Sequence, residues 1–394
     1  MWVIELIFLL YFLYVVLYTF VCSLAGLFYK SKKGIQQQGN YKKFCVLIPA
    51  YKEDAVIIET AKASLNQNYP KEYFDIVVIA DTLQQETIET LSRLPINVIT
   101  VSFESSTKVK ALTRALHSLP EAYDYAVILD ADNIMEQNFL TKMSAILATG
   151  LRAVQGQRKP KNINTTLSFL DGLSEAINNH IYRQGTVALG FSASINGSGV
   201  AFDYLLFKNK ITTMNSIGGF DRELELLLLK ESVKVYYYKE AFVLDEKVSK
   251  SKSFQNQRLR WISSQYFYLR KYFTEGFAAL FKGDLTFFNS AVLRNIQLPR
   301  LINIGLLTTL TLLSIFIAPY LHFSYKLWIA LFTINSAAIM MAIPREFWSR
   351  RLVTSIFSLP LIFIQMLFLL FRLKGANKKF IHTPHGASAP QQES

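Results

Sequence analysis

Tyr125-Ala126-Val127-Ile128-Leu129 runs straight into Asp130-Ala131-Asp132-Asn133. A short apolar run that ends in acids reads as a buried strand, and Asp-x-Asp puts two carboxylates at i and i+2, on one side of an extended chain. Similar β-branched runs occur upstream at Phe44 to Ile48, Asp75 to Ala80 and Ile96 to Val101, separated by helical patterns at Ala55 to Leu65, Ile88 to Leu94 and Val109 to Leu116. That β-α-β-α order predicts an α/β domain with a doubly wound, mostly parallel sheet, whose ligands sit beyond the carboxyl ends of the strands. Chemistry is therefore sought at three strand ends: Pro49-Ala50-Tyr51-Lys52-Glu53, Ala80-Asp81-Thr82 and Asp130 to Asp132.

Hard divalent cations bind through one or two carboxylates together with substrate phosphates, so Asp130 and Asp132 suit a nucleoside diphosphate carrying Mg²⁺ or Mn²⁺. An Asp-rich turn capping the next helix is the competing reading. Farther on, Phe220-Asp221-Arg222-Glu223-Leu224-Glu225-Leu226 opens a helix with three acids within five residues. Acids there complement the helix dipole, and one so placed can also take a proton from an attacking hydroxyl. Gln257-Arg258-Leu259-Arg260-Trp261 adds two guanidiniums able to neutralise a diphosphate and a ring on which a sugar can stack. A membrane-proximal basic patch is the alternative for that string.

The chain has 394 residues, is 51% hydrophobic and only 18% charged, and carries a net charge of +13. Soluble domains usually carry about 25% charge. Much of the positive excess flanks apolar runs (Lys30, Lys32, Lys33; Arg345, Arg350, Arg351; Arg372, Lys374), the pattern of juxtamembrane charge rather than of a nucleic-acid footprint. Two cysteines are too few for a disulfide scaffold. Trp2 to Tyr29 exceeds the roughly 20 residues that cross a bilayer, and it lacks the basic start and cleavage site of a signal peptide. It reads as a retained anchor, 1–30, with the N-terminus outside and the following domain, 41–261, in the cytoplasm. Residues 262–300 mix Tyr, Phe, Arg and Lys and predict amphipathic interfacial helices. Leu301 to Leu321, Leu327 to Ile343 and Leu352 to Phe371 predict membrane helices across 301–373, followed by a basic, then disordered tail, 374–394. Three spans place that basic tail outside, so one C-terminal segment is expected to be re-entrant or interfacial. The whole predicts a multi-pass protein of the plasma or inner membrane.

The ordered set Asp81, Asp130-Ala131-Asp132, an acidic helix start and Gln257-x-x-Arg260-Trp261 resembles the family 2 inverting glycosyltransferases of the cellulose, chitin and hyaluronan synthase superfamily, over about Phe44 to Trp261. The resemblance implies a GT-A fold, a nucleotide-sugar donor (UDP-sugar, or GDP-sugar), Mg²⁺ or Mn²⁺, and inversion at the anomeric carbon. Carried over, Asp81 and Asp130 contact the nucleoside, Asp132 with Asp130 binds the metal, and Pro49, Tyr51 and Glu53 border the donor. Lys108, in a Lys-x-x-Ala-Leu-Thr string, touches the nucleotide, with Thr113 standing where the family has Asn. Gly197, in Asn196-Gly197-Ser198-Gly199, falls on the family's acceptor loop, and Gln257, Arg260 and Trp261 hold the diphosphate and line the acceptor site, with Arg258 of the same string expected to bind substrate as the second guanidinium. Family members have Thr-Glu-Asp before Leu-Glu-Leu; this chain has Asp221-Arg222-Glu223 before it, which aligns Glu223 with the base and leaves Asp221 as the competitor. Three activities follow: extension of a surface polysaccharide, transfer of a single sugar to a lipid carrier or membrane lipid, or a non-catalytic subunit that binds nucleotide sugar or gates a polysaccharide pore.

Overall fold

The computed structural model describes residues 2–35, 39, 41–249, 251–373 and 386. Eight strands form one sheet: β1 (Phe44–Tyr51), β2 (Phe74–Asp81), β3 (Asn97–Val101), β4 (Tyr125–Ile128), β5 (Ile134–Met135), β6 (Ala153–Pro160), β7 (Val200–Asp203) and β8 (Tyr236–Asp245). Their order is β3-β2-β1-β4-β7-β6-β8-β5. The first four strands pair in parallel, as expected, with Tyr51 opposite Asp81 and Leu47 opposite Ile128. Beyond β4 the expectation of a mostly parallel sheet needs correcting, because β7 inserts antiparallel between β4 and β6, and β5 lies antiparallel on β8. The sheet is mixed.

Both faces of β1, β2 and β4 are covered, which is why these strands are largely apolar without alternation, whereas β3 at the edge exposes Asn97 and Thr100. Cys45 and Leu47 pack with Val77, Leu112 and Phe202 on one side. On the other, Val46, Ile48 and Ala50 pack with Val78, Phe139 and Leu147. The order in which strands are added reverses between β1 and β4: β2 and β3 lie to one side of β1, β4 to the other. Such a switch opens a crevice beyond the strands' carboxyl ends, here at Tyr51, Asp81 and Asp130.

Around this domain sit the apolar helices. Trp2–Leu27 and Tyr325–Ala342 are each long and apolar enough to cross a membrane, and the pairs Leu285–Ile296 with Arg300–Phe316 and Arg350–Ile356 with Leu359–Leu370 meet that test only as bent units, at 58° and 51°. The second bend falls where Pro360 opens a helix and cannot continue the one before it. The N-terminal helix joins the C-terminal ones through Phe12 and Val16 against Leu307, Trp328 and Leu331, and Tyr11 donates to Asn303 Oδ1 at 2.9 Å. Residues 262–300 are not a separate interfacial unit. One 31-residue helix, Ser251–Phe281, begins ahead of Gln257 and carries that string into the stretch beyond it. The expected tail, 374–394, lies almost wholly outside the described residues.

Candidate functional site

A cavity of about 1150 Å³ opens at the switch point, and all but one of the site residues expected from the sequence line it. Pro49, Tyr51 and Glu53 come from the end of β1, Asp81 from the end of β2, and Asp130 and Asp132 follow β4. Lys108 opens the helix Lys108–Ser118, and Gly197 belongs to the loop before β7. Gln257, Arg258, Arg260 and Trp261 project from Ser251–Phe281. Asp221 is present, and Glu223 is absent from the lining.

The strand ends turn sharply. Lys52 and Thr82 hold positive φ (55° and 57°), and the Lys52 amide donates to the Asp81 carbonyl at 3.1 Å. The strain typical of such conformations gathers at binding sites. Asp81 is 2% exposed and accepts from Ser106 Oγ (3.1 Å) and Thr82 Oγ1 (3.0 Å). Burial pushes its carboxyl up, against the pull of those two hydroxyls and of Lys52.

Asp130 pairs with the Lys108 ammonium, which also donates to the Gly197 carbonyl at 2.8 Å. Gly197 has φ +83°, a left-handed conformation that suits glycine, and Lys108 thus ties the Asp-x-Asp turn to this loop. Ser198 Oγ accepts from the Asp130 amide at 3.0 Å. With its amide oriented to accept from Ser198 Oγ, Asn133 donates to Asp132 Oδ1 (3.2 Å) and Asp245 Oδ1 (3.1 Å), so one NH₂ group holds two carboxylates side by side. Asp245 ends β8 and also lines the cavity. Among the described residues no three His, Cys, Asp or Glu side chains converge as a metal cage. Asp132 and Asp130 nevertheless fit Mg²⁺ or Mn²⁺, since such ions take one or two carboxylates and complete their shell with phosphate and water oxygens.

Arg260 stands between the two acidic groups. Burial lowers its pKa, while the charges of Asp130 and Asp221 raise it. Arg258 is committed elsewhere: its guanidinium pairs with Asp171 and lies over the rings of Phe254 (4.7 Å) and Trp261 (4.5 Å). Of the two guanidiniums expected at a diphosphate, that of Arg258 is therefore already paired, while that of Arg260 lies in the field of Asp130 and Asp221. Gln257 Oε1 is buried without a partner among the described residues.

The acids of the helix Phe220–Lys230 separate by helical phase, because positions two apart differ by roughly 200°. Glu223 turns away from the cavity. Its carboxylate is paired with Lys271 and accepts from Ser216 and from the hydroxyls of Tyr268 and Tyr272, both at 3.3 Å. Burial pushes it up, but these partners more than offset that and hold it below the usual carboxylate range. Glu225 accepts both of its bonds from Arg294, at 2.8 and 2.7 Å. Asp221 has no hydrogen-bond or ion-pair partner among the described residues and faces the cavity.

The loop ahead of this helix is clamped as well. Tyr268 donates to the Gly218 carbonyl at 3.1 Å, and Gly219 adopts φ +67° with a would-be Cβ only 2.7 Å from Ser264 Cβ. Gly219→Ala is expected to cost about 1–2 kcal/mol for the left-handed conformation alone. The contact with Ser264 adds to this, and a lowered midpoint of thermal unfolding checks it.

Sequence reasoning missed Asp245, although Ala241 to Asp245-Glu246 repeats the pattern of an apolar strand ending in acids. It also missed the arginines Arg222, Arg294 and Arg300, the first of them far in the chain from the other two, which all line the cavity wall.

The model of the family described as glycosyltransferase like family 2 matches residues 42–264, more than half of the chain. No curated protein matches it. Among solved structures, it is similar to a mannosyltransferase from Pyrobaculum calidifontis in complex with GDP-Man and Mn²⁺ (16% identity, 86% of this chain and 99% of that one, TM-score 0.49). It is also similar to S. aureus TarS 1-349 in complex with UDP-GlcNAc (15% identity, 53% and 60%, TM-score 0.40). A third is glucosyl-3-phosphoglycerate synthase from Mycobacterium tuberculosis in complex with Mn²⁺, UDP and glucosyl-3-phosphoglycerate (15% identity, 54% and 74%, TM-score 0.36). On the strength of the family match, which spans every strand of the sheet and the Gln257 to Trp261 string, the chain belongs to the family 2-like glycosyltransferases.

Proposed function

We propose that this protein is a membrane-embedded, inverting glycosyltransferase of GT-A type that moves a sugar from a nucleoside diphosphate onto an acceptor hydroxyl. The observation that carries this reading is the placement of Asp221 and the Asp130–Asp132 pair on one cavity, with Arg260 between them. Asp81 and Asp130 hold the nucleoside end of the donor, and Arg260 and Lys108 neutralise its diphosphate. A divalent cation bound by Asp132 and Asp130 supplies further charge neutralisation of the leaving group. Asp221 takes the acceptor proton as the hydroxyl oxygen attacks C1. The C1–oxygen bond to the diphosphate breaks, and the nucleoside diphosphate leaves with that electron pair. One displacement requires no sugar-enzyme intermediate, so an α-linked donor yields a β-linked product. The one-bond carbon–proton coupling at the product's anomeric centre tests this, because it separates an axial from an equatorial H1 whatever the configuration at C2: the axial value is expected, and an α product contradicts the reading.

The base is assigned to Asp221 and not, as the alignment on Leu-Glu-Leu favoured, to Glu223. A carboxylate already accepting from four groups and held below its usual range is a poor proton acceptor. Glu223 is instead a positioning residue that ties Ser216, and with it the Gly218-Gly219 loop, to Ser251–Phe281. Glu223→Gln is expected to lower stability by about 1–2 kcal/mol and to reduce turnover far less than Asp221→Asn. Equal loss in the two variants would return the base to Glu223.

Membrane embedding is supported by exposed apolar side chains gathered on the long helices, among them Ile4, Leu10, Leu312, Phe316, Leu361 and Phe368. Lys30, Lys32 and Lys33, after the first of these helices, support a cytoplasmic catalytic domain by the positive-inside bias. Kinship with the cellulose, chitin and hyaluronan synthases is supported by Gln257, Arg260 and Trp261 lying on the cavity wall.

A further inference from the structure

The cavity does not end at the catalytic groups. Past Asp221 its wall carries Arg222, Arg294 and Arg300, and it then continues between the apolar helices, lined by Ile304, Phe332, Ile339, Ile362, Phe363 and Met366. The three guanidiniums gather at the break between Leu285–Ile296 and Arg300–Phe316. Arg222 donates to Asn295 Oδ1 at 2.6 Å, just before the break, and Arg300 opens the helix after it. Gln265 fixes the backbone between them by donating to the carbonyls of Asn295 (3.0 Å) and Gln297 (2.6 Å). The Tyr182 phenol, 3.4 Å from Gln297 Oε1, lies within the field of all three arginines.

The charges here do not balance. Arg294 has Glu225, yet its Nη1 is buried without a partner among the described residues. Arg222 and Arg300 meet no carboxylate at ion-pair distance among the described residues, and Arg300 is held only by Asn178 Oδ1 (3.0 Å) and the carbonyl and hydroxyl of Ser174 (2.9 and 2.8 Å). One ion pair thus serves three partly buried guanidiniums, with Asp221 and Glu225 acting on Arg222, and Glu175 on Arg300, from beyond ion-pair distance, and a charge taken from water without a close partner is costly unless an anion joins it. Arginine forks match phosphate well. Arg260 lies in the field of Asp130 and Asp221, and Arg222 in that of Asp221, Arg294, Glu225 and Tyr182, so the arginines adjoin the catalytic groups.

We propose that the acceptor is a phosphate-bearing lipid, with its chains between the apolar helices, its phosphate on Arg222, Arg294 and Arg300, and a head-group hydroxyl beyond the phosphate at Asp221. The proposal rests on the transferase reading above and names its acceptor class. The new bond joins the head-group oxygen to C1, the bond from C1 to the diphosphate breaks, and the proton passes to Asp221. A growing polysaccharide is disfavoured as the occupant because the deep lining is chiefly aliphatic and phenyl, with few groups to hydrogen-bond sugar hydroxyls.

The test is native mass spectrometry of the full-length protein in detergent with phosphatidylglycerol, with diacylglycerol of the same chains, and with soluble glycerol 3-phosphate. Phosphatidylglycerol is expected to be retained about tenfold or more over diacylglycerol, the worth of a charge-assisted contact, and glycerol phosphate to be retained poorly. Arg300→Gln should remove most of that preference and Arg300→Lys should restore part of it; where Arg300→Gln fails to fold, Arg222→Gln reads the same quantity. Equal retention of the two lipids, an unchanged preference in the Gln variants, or glycerol phosphate binding as well as the lipid overturns the proposal. Nucleoside diphosphate release measured on the same preparations separates the two readings: its absence with every donor counts against the transferase, whereas donor consumption without phosphate-selective lipid binding counts against the acceptor alone.

Discussion

Asp221→Asn is expected to lower sugar transfer by about 10²–10⁴-fold, the usual worth of a positioned general base, while leaving donor binding nearly unchanged. The substitution is close in shape and removes only the ability to take a proton. Because Asp221 makes no hydrogen bond or ion pair among the described residues, its loss disturbs little structure. Binding and chemistry should therefore separate, with donor Kd near the wild-type value and kcat reduced. Titration with the intact nucleotide sugar and single-turnover transfer read the two quantities independently. A variant that loses donor affinity and turnover together contradicts the role.

The second large effect concerns stability. Glu175 is 5% exposed, on the helix Thr166–Asn179, and it bridges Arg158 at the end of the sheet (2.8 Å) and Arg183 (3.0 Å). Glu175→Gln leaves both guanidiniums buried with too little negative charge, a change that typically costs about 3–5 kcal/mol. The midpoint of chemical unfolding in detergent should fall accordingly. The pH dependence has a definite sign. Burial pushes the Glu175 carboxyl up, but Arg158 and Arg183 more than offset this and hold it well below the usual range. The unfolded chain, with Glu near 4.3, then binds more protons than the folded one in the acid range. This stabilisation is fully present above about pH 5 and is lost as pH falls toward the lower folded value. The Gln variant should show a flatter stability profile across that window.

How much was legible in the sequence differs between the halves of the sheet. β1, β2 and β4 are largely apolar runs because both of their faces are covered, and such runs are readable from composition alone. β7 is four residues long and β5 two, too short for any periodicity, and β6 mixes Gln, Arg and Lys into its strand because its far end borders the cavity. Those three strands make the sheet mixed. The donor side of the site was readable because acids at the ends of recognisable strands must converge. The choice between Asp221 and Glu223 was not, since it depends on where the helix begins: a start at Phe220 aims one acid into the cavity and the other at Tyr268, Lys271 and Tyr272. Arg258 looked like a diphosphate ligand only because Asp171, 87 positions away in sequence, was not known to be its partner. The cluster of Arg222, Arg294 and Arg300 has no local signature at all, because the break between two helices brings it together.

The central claim is that the cavity at the switch point performs metal-assisted transfer from a nucleotide sugar. The most direct measurement is release of nucleoside diphosphate from a panel of UDP- and GDP-sugars by the purified full-length protein, with Mn²⁺ or Mg²⁺ and again with chelator. The account predicts release from one donor class, abolished by chelator and by Asp132→Asn and strongly reduced in Asp221→Asn. Donor that binds but is not consumed, with or without metal and with lipid supplied, would contradict it and favour a non-catalytic subunit.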